Sequence, residues 1–121
     1  MQTKFIDQAP LIDGSESAPL AKSWQVGINN ALVDQHIDVY EPLIYRKGAQ
    51  EVSEVAAHYR SELTSDITAI LRPTFPDNLS EQTLIEKVAA LRAAGISNID
   101  FYLLDAMRPR DVEWIKRALT S

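Results

Sequence analysis

A chain of 121 residues has room for one domain and not two. Its 45% hydrophobic and 24% charged residues are ordinary for a globular protein, and the formal net charge of −5 has the wrong sign for a nucleic-acid backbone binder. The absence of cysteine excludes disulfide scaffolds, thiolate metal centres and cysteine nucleophiles.

The first residues, Met1 to Asp13, hold no apolar run of signal-peptide length. No stretch approaches the ~18 apolar residues of a membrane span. The expectation is a soluble, cytoplasmic protein with neither a membrane nor a nucleic-acid partner. Residues 1–19 hold the apolar pairs Phe5-Ile6 and Leu11-Ile12 among turn formers, and this reads as an extended or flexible N-terminal arm. Residues 20–121 read as a single α/β domain. Leu20, Trp24, Ile28 and Leu32 fall on one helical stripe, which Gly27 and Asn29-Asn30 weaken.

Three strand candidates follow, each with a helix behind it. The first is His36–Tyr40, with an extension to Tyr45 that Pro42 bends or shortens, and its helix spans about Ala49 to Leu63. The second is Ile67–Arg72, stopped by Pro73 and Pro76. Its helix has Ser80 as N-cap, Glu81 in the first turn, an apolar face of Leu84, Ile85, Val88 and Leu91, and Gly95 at C′. The third is Ile99–Leu104, and its helix opens on Pro109 with acids early and Lys116 and Arg117 late. Val112, Ile115 and Leu119 are its expected buried stripe. Strand starts at 37, 67 and 99 have the period of a parallel βαβ repeat. The predicted fold is therefore three parallel βα units, preceded by one N-terminal helix and an extended arm.

Alternation assigns Ile37, Val39, Ile67, Ala69, Leu71, Ile99, Phe101 and Leu103 to an apolar face that seats the helices. The opposite parity holds Asp38, Tyr40, Thr68, Ile70, Arg72, Asp100, Tyr102 and Leu104. A sheet covered by helices on both faces reads apolar on both. A mixed face suits the lumen of a (β/α) barrel, although a closed barrel takes about 250 residues and three units do not close.

On Asp38-Val39-Tyr40-Glu41-Pro42-Leu43-Ile44-Tyr45, Ile70-Leu71-Arg72-Pro73-Thr74-Phe75-Pro76-Asp77, Ile99-Asp100-Phe101-Tyr102, Met107-Arg108 and Glu113-Trp114-Ile115, the chain from Ile37 to Leu119 resembles the last three βα units of a glycoside-hydrolase-like TIM barrel. The resemblance covers roughly two thirds of the chain and rests on strand-end rhythm. It implies a carbohydrate-facing site at the C-terminal strand ends, where two carboxylates attack a glycosidic bond. The first five units of such a barrel have no counterpart here.

Glu41 and Asp105 are the candidate catalytic carboxylates, Glu41 as an acid with a pKa raised by burial. The ordinary readings are a rim carboxylate paired with Arg46 or Arg72 for Glu41, and a loop-closing pair with Arg108 for Asp105. Tyr40, Tyr45, Arg72, Tyr102 and Arg108 are the candidate substrate-binding residues. Arg72 has a planar fork suited to carboxylates or sugar hydroxyls, and could equally neutralise Asp38 and Asp100. Tyr40 and Tyr102 suit sugar stacking or filling of an interior. His36 and His58 lie apart and support no metal site, and four isolated glycines form no phosphate-cradling loop, so no metal or cofactor is expected. Two functional readings stand. One is a barrel-derived domain that binds or hydrolyses a carbohydrate or small polar ligand. The other is a non-catalytic interaction module forming a homo-oligomer through its polar sheet face.

Overall fold

The computed structural model describes residues 2–8, 27–74, 76–103 and 106–121. Within them the chain runs β1 (Lys4–Asp7), α1 (Asn30–Asp34), β2 (Val39–Pro42), α2 (Ala49–Glu62), β3 (Asp66–Leu71), α3 (Glu81–Ala93), β4 (Asn98–Phe101) and α4 (Pro109–Thr120). The strands form one four-stranded sheet in the order β1-β2-β3-β4, and every neighbouring pair is parallel. The α/β class and the parallel repeat match the sequence reading. The count does not: there are four strands, and the additional one is Lys4–Asp7, inside the segment read as an arm. Its pattern hides it, because its buried position is the charged Asp7 while Ile6 is exposed.

Helix boundaries follow their local signals closely. The Ser80 hydroxyl accepts the Thr83 N–H at 3.3 Å, and Gly95 takes φ +85 just past the end of α3, where a side chain would be strained. Pro109 opens α4, and Asp111 at N3 accepts the Arg108 N–H at 2.9 Å, half of a capping box. Of the helix expected from Leu20 to Leu32, residues 20–26 lie outside the described residues. Gly27, Ile28 and Asn29 are not helical, and α1 starts only after Asn29, whose side chain accepts the Leu32 N–H at 3.1 Å.

One hydrophobic core joins the sheet to the helices. Tyr40, Ile67, Ala69 and Leu71 pack with Val52, Val55, Ala56 and Tyr59 of α2, Leu84, Val88 and Leu91 of α3 and Ala118 of α4. Ala69 pairs with Ile99 and Leu71 with Phe101, so the same face continues across β4, and the three long helices share one side of the sheet.

Several expectations about faces are corrected. Tyr40, assigned to the polar face with Asp38, pairs with Phe5 and Ile67 and faces the helices. The chain bends at Asp38, whose carboxylate accepts the Thr3 N–H at 2.7 Å, and regular pairing begins only at Val39. Ile37 therefore contacts the core without sharing the parity of the strand that follows, and Val39 moves to the opposite face. That opposite face is not open at its centre, since Val39, Glu41, Thr68 and Ile70 are all buried. In α4 the expected stripe is rotated: Asp111 and Ala118 are buried, Trp114 and Ile115 contact the core, and Val112 and Leu119 are 37% and 39% exposed. Leu103, assigned to the helix face, is exposed beyond the end of β4.

Polar ties fix the loops at the N-terminal side of the sheet. Asp34 accepts N–H bonds from Thr64 and Ser65, both at 2.9 Å, and the Thr64 hydroxyl at 2.8 Å. Partial burial works to raise the Asp34 pKa, but these hydrogen bonds outweigh it and bring it down to about 2. Arg60 donates to the carbonyls of Leu63 and Ser65 in the same turn.

Candidate functional site

In a parallel sheet the chain leaves each strand toward the C-terminal edge, so loops there gather residues distant in sequence. The turn after β3, Arg72 to Ser80, is the centre of this region. Arg72 Nε and Nη2 donate to the two Asp77 carboxylate oxygens at 2.8 and 2.7 Å, a bidentate pair closed across a Pro-rich turn. The Arg72 guanidinium also lies over the Tyr45 ring, 4.3 Å from its centroid. The hydrogen bonds to Asp77 raise the Arg72 pKa against the effect of burial, so its charge is permanent. Burial raises the Tyr45 pKa, with Arg72 opposing.

The turn is tied down from below. Asn78 Nδ2 donates to the Arg72 carbonyl at 2.7 Å, and the Asn78 N–H to the Thr74 carbonyl at 2.9 Å. Lys87 of α3 is fully buried, and its ammonium donates to the carbonyls of Arg46 and Asp77, the latter at 3.0 Å. One amine thus joins the loop after β2 to the loop after β3. Desolvation lowers the Lys87 pKa to about 8, against the opposing influence of Asp77 and Glu51.

Two cavities flank this turn. The smaller, about 180 Å³, is lined by Arg72, Pro73, Thr74, Tyr102, Leu103, Ala106, Met107 and Asp111. Tyr102, 53% exposed, follows β4, and its N–H donates to the Leu71 carbonyl at 2.9 Å, which holds it beside Arg72. Arg108 contacts Asp111 through its backbone N–H and, at 3.3 Å, its guanidinium. Burial would raise the Asp111 pKa, but the bonds from Arg108 bring it below the usual carboxylate range. The larger cavity, about 410 Å³, is lined by Lys47, Pro76, Asp77, Leu79 and Thr83.

The structure therefore brings together Tyr45, Arg72 and Tyr102 of the expected site, with Arg108 joined to the rim through Asp111. Glu41 is buried on the sheet face opposite the helices, 3.5 Å from the Lys4 ammonium. Tyr40 is in the core: its hydroxyl and that of Tyr59 donate to the same Asp7 oxygen, both at 2.7 Å, while Asn30 donates to the Tyr40 hydroxyl. Asp105 lies outside the described residues.

The sequence reading missed Asp77, Lys87, Thr74 and Asp111 as members of this region. Lys87 leaves a trace, since it falls between Leu84 and Leu91 on the buried stripe of α3, where a charge needs carbonyl partners. Among the described residues, no His/Cys/Asp/Glu group could hold a metal ion, and no helix is long and apolar enough to cross a membrane. No protein-family model, no curated protein sequence and no solved structure matches this chain.

Proposed function

We propose that this chain is a barrel-derived α/β domain whose C-terminal strand ends bind a small neutral carbohydrate. The observation that carries the reading is the Arg72 guanidinium, held between the Tyr45 ring and the Asp77 carboxylate and bordering a cleft beside Tyr102. A fixed donor group beside an exposed aromatic ring is what a sugar requires: hydroxyls bond in the ring plane while the C–H face stacks. The charge balance selects against an anion. Arg72 and Arg108 each face a buried carboxylate, Asp77 and Asp111, so neither cation is left uncompensated. The cleft of about 180 Å³ is below the ~300 Å³ at which drug-sized pockets begin, so it suits one ring. Sequential parallel strands with the long helices on one side support a barrel-like ancestry. Hydrolysis would require a second carboxylate roughly 5–9.5 Å from Glu41, and Glu41 is buried beside Lys4. Binding is therefore the function proposed.

The test is titration of the labelled protein with glucose, mannose and xylose, followed by amide NMR. Shifts centred on Thr74, Tyr102 and Met107 are expected, and Tyr102→Ala should weaken binding about tenfold, the worth of one stacked ring. Absence of shifts with all three sugars overturns the proposal.

A second reading, a homo-oligomeric interaction module, has one observation in its favour. Val112 and Leu119, seven residues apart on α4, are exposed on one stripe, and Tyr102 and Leu103 are exposed after β4. The buried centre of the polar face shifts any such contact to α4. Light scattering on this reading gives a dimer that Val112→Lys together with Leu119→Glu converts to monomer. A monomeric wild-type chain removes it.

A further inference from the structure

Arg72 lines the smaller cavity, Asp77 lines the larger, and the two are hydrogen-bonded to each other at 2.7 and 2.8 Å. The ion pair thus joins a residue that lines one cavity to a residue that lines the other. We propose that the site takes a linear ligand of at least two sugar units, one on each side of the Arg72–Asp77 pair, with the linkage crossing over it. This rests on the carbohydrate reading above and adds the length of the ligand and the place of its second unit.

Three features support the second subsite. The smaller cavity suits one ring, and the larger, at about 410 Å³, lies by itself within the ~300–1,000 Å³ of ordinary ligand sites. The larger cavity has its own binding chemistry. Leu79, 82% exposed, offers an apolar surface to a ring face. Lys47 makes no ion pair among the described residues, so its ammonium donors are open to hydroxyls. Finally, the pair is rigid. The Asp77 carbonyl is held by the buried Lys87 ammonium and the Arg72 carbonyl by Asn78, so a ligand crossing the pair meets donors already in place.

The experiment is calorimetric titration with glucose, mannose and xylose and with their β-1,4-linked dimers and trimers. At least one dimer should bind ten times more tightly than its monomer, with little further gain for the trimer. Leu79→Ala combined with Lys47→Ala, both at the surface, should abolish that increment and leave monomer affinity unchanged; thermal melts check that the fold is retained. Equal affinities for monomer and dimer overturn the two-unit site while leaving the carbohydrate reading intact. An increment that survives the double substitution overturns the placement of the second unit, and failure of every sugar to bind overturns both proposals.

Discussion

Replacing Tyr59 with phenylalanine is expected to cost about 2 kcal/mol of stability, the worth of a buried hydrogen bond to a charged group. The substitution keeps the ring, which packs 5.6 Å from that of Tyr40, and deletes only the hydroxyl that donates to Asp7. Asp7 is fully buried at the end of β1, where each hydrogen bond it accepts offsets part of the cost of desolvating a carboxylate. Urea denaturation should show a midpoint lower by about 1 M at unchanged slope. Tyr40→Phe should act similarly, and the double variant should lose less or more than the sum, because both hydroxyls serve one oxygen. The same cluster sets an alkaline limit. Burial first, then the Asp7 carboxylate, raises both tyrosine pKa values above 10. The folded state thus holds protons that the unfolded chain releases, so this contribution is complete below pH 10 and is lost as pH rises beyond it. A stability profile flat through pH 11 would refute it.

Lys87 produces the opposite slope in a neighbouring window. Its pKa is about 8 when folded and 10.5 when exposed, so between those values the unfolded chain binds more protons and stability rises with pH. From pH 7 to pH 9.5, below the tyrosine limit, the gain should be about 2 kcal/mol. Lys87→Met should remove that slope, since it deletes the titrating amine while filling similar volume. It should also loosen the loops after β2 and β3, because the carbonyls of Arg46 and Asp77 lose a shared donor. Denaturation at pH 7 and 9.5 in both proteins is the check, and an identical rise in the variant would assign the effect elsewhere.

The repeat was legible in the sequence because its last two helices carried their own boundary markers. Ser80, Gly95 and Pro109 act through local backbone geometry and require no knowledge of tertiary contacts. Faces were less legible, because parity is counted from a starting residue. The bend at Asp38 reset the count, turning Tyr40 to the helix face and Val39 to the opposite one. The β1 strand was hidden for a related reason: the buried Asp7 is reached by two tyrosine hydroxyls from β2 and α2, 33 and 52 residues away. At the candidate site, Arg72 and Tyr102 were visible as strand-end residues. The pairing of Arg72 with Asp77 is a contact that spacing alone does not encode.

The sheet's outermost ribbons have a consequence for behaviour at high concentration. Among the described residues, β1 and β4 each have one neighbour and only four residues, and they carry the solvent-facing Lys4, Asn98 and Asp100 at their margins. Short, polar borders are poor templates for another molecule's backbone. The uncharged, β-branched-rich run from Ile67 to Leu71 is flanked on both sides inside the sheet. Fibril growth therefore has to wait for unfolding, and the shelf life of concentrated solutions should follow conformational stability more closely than surface charge.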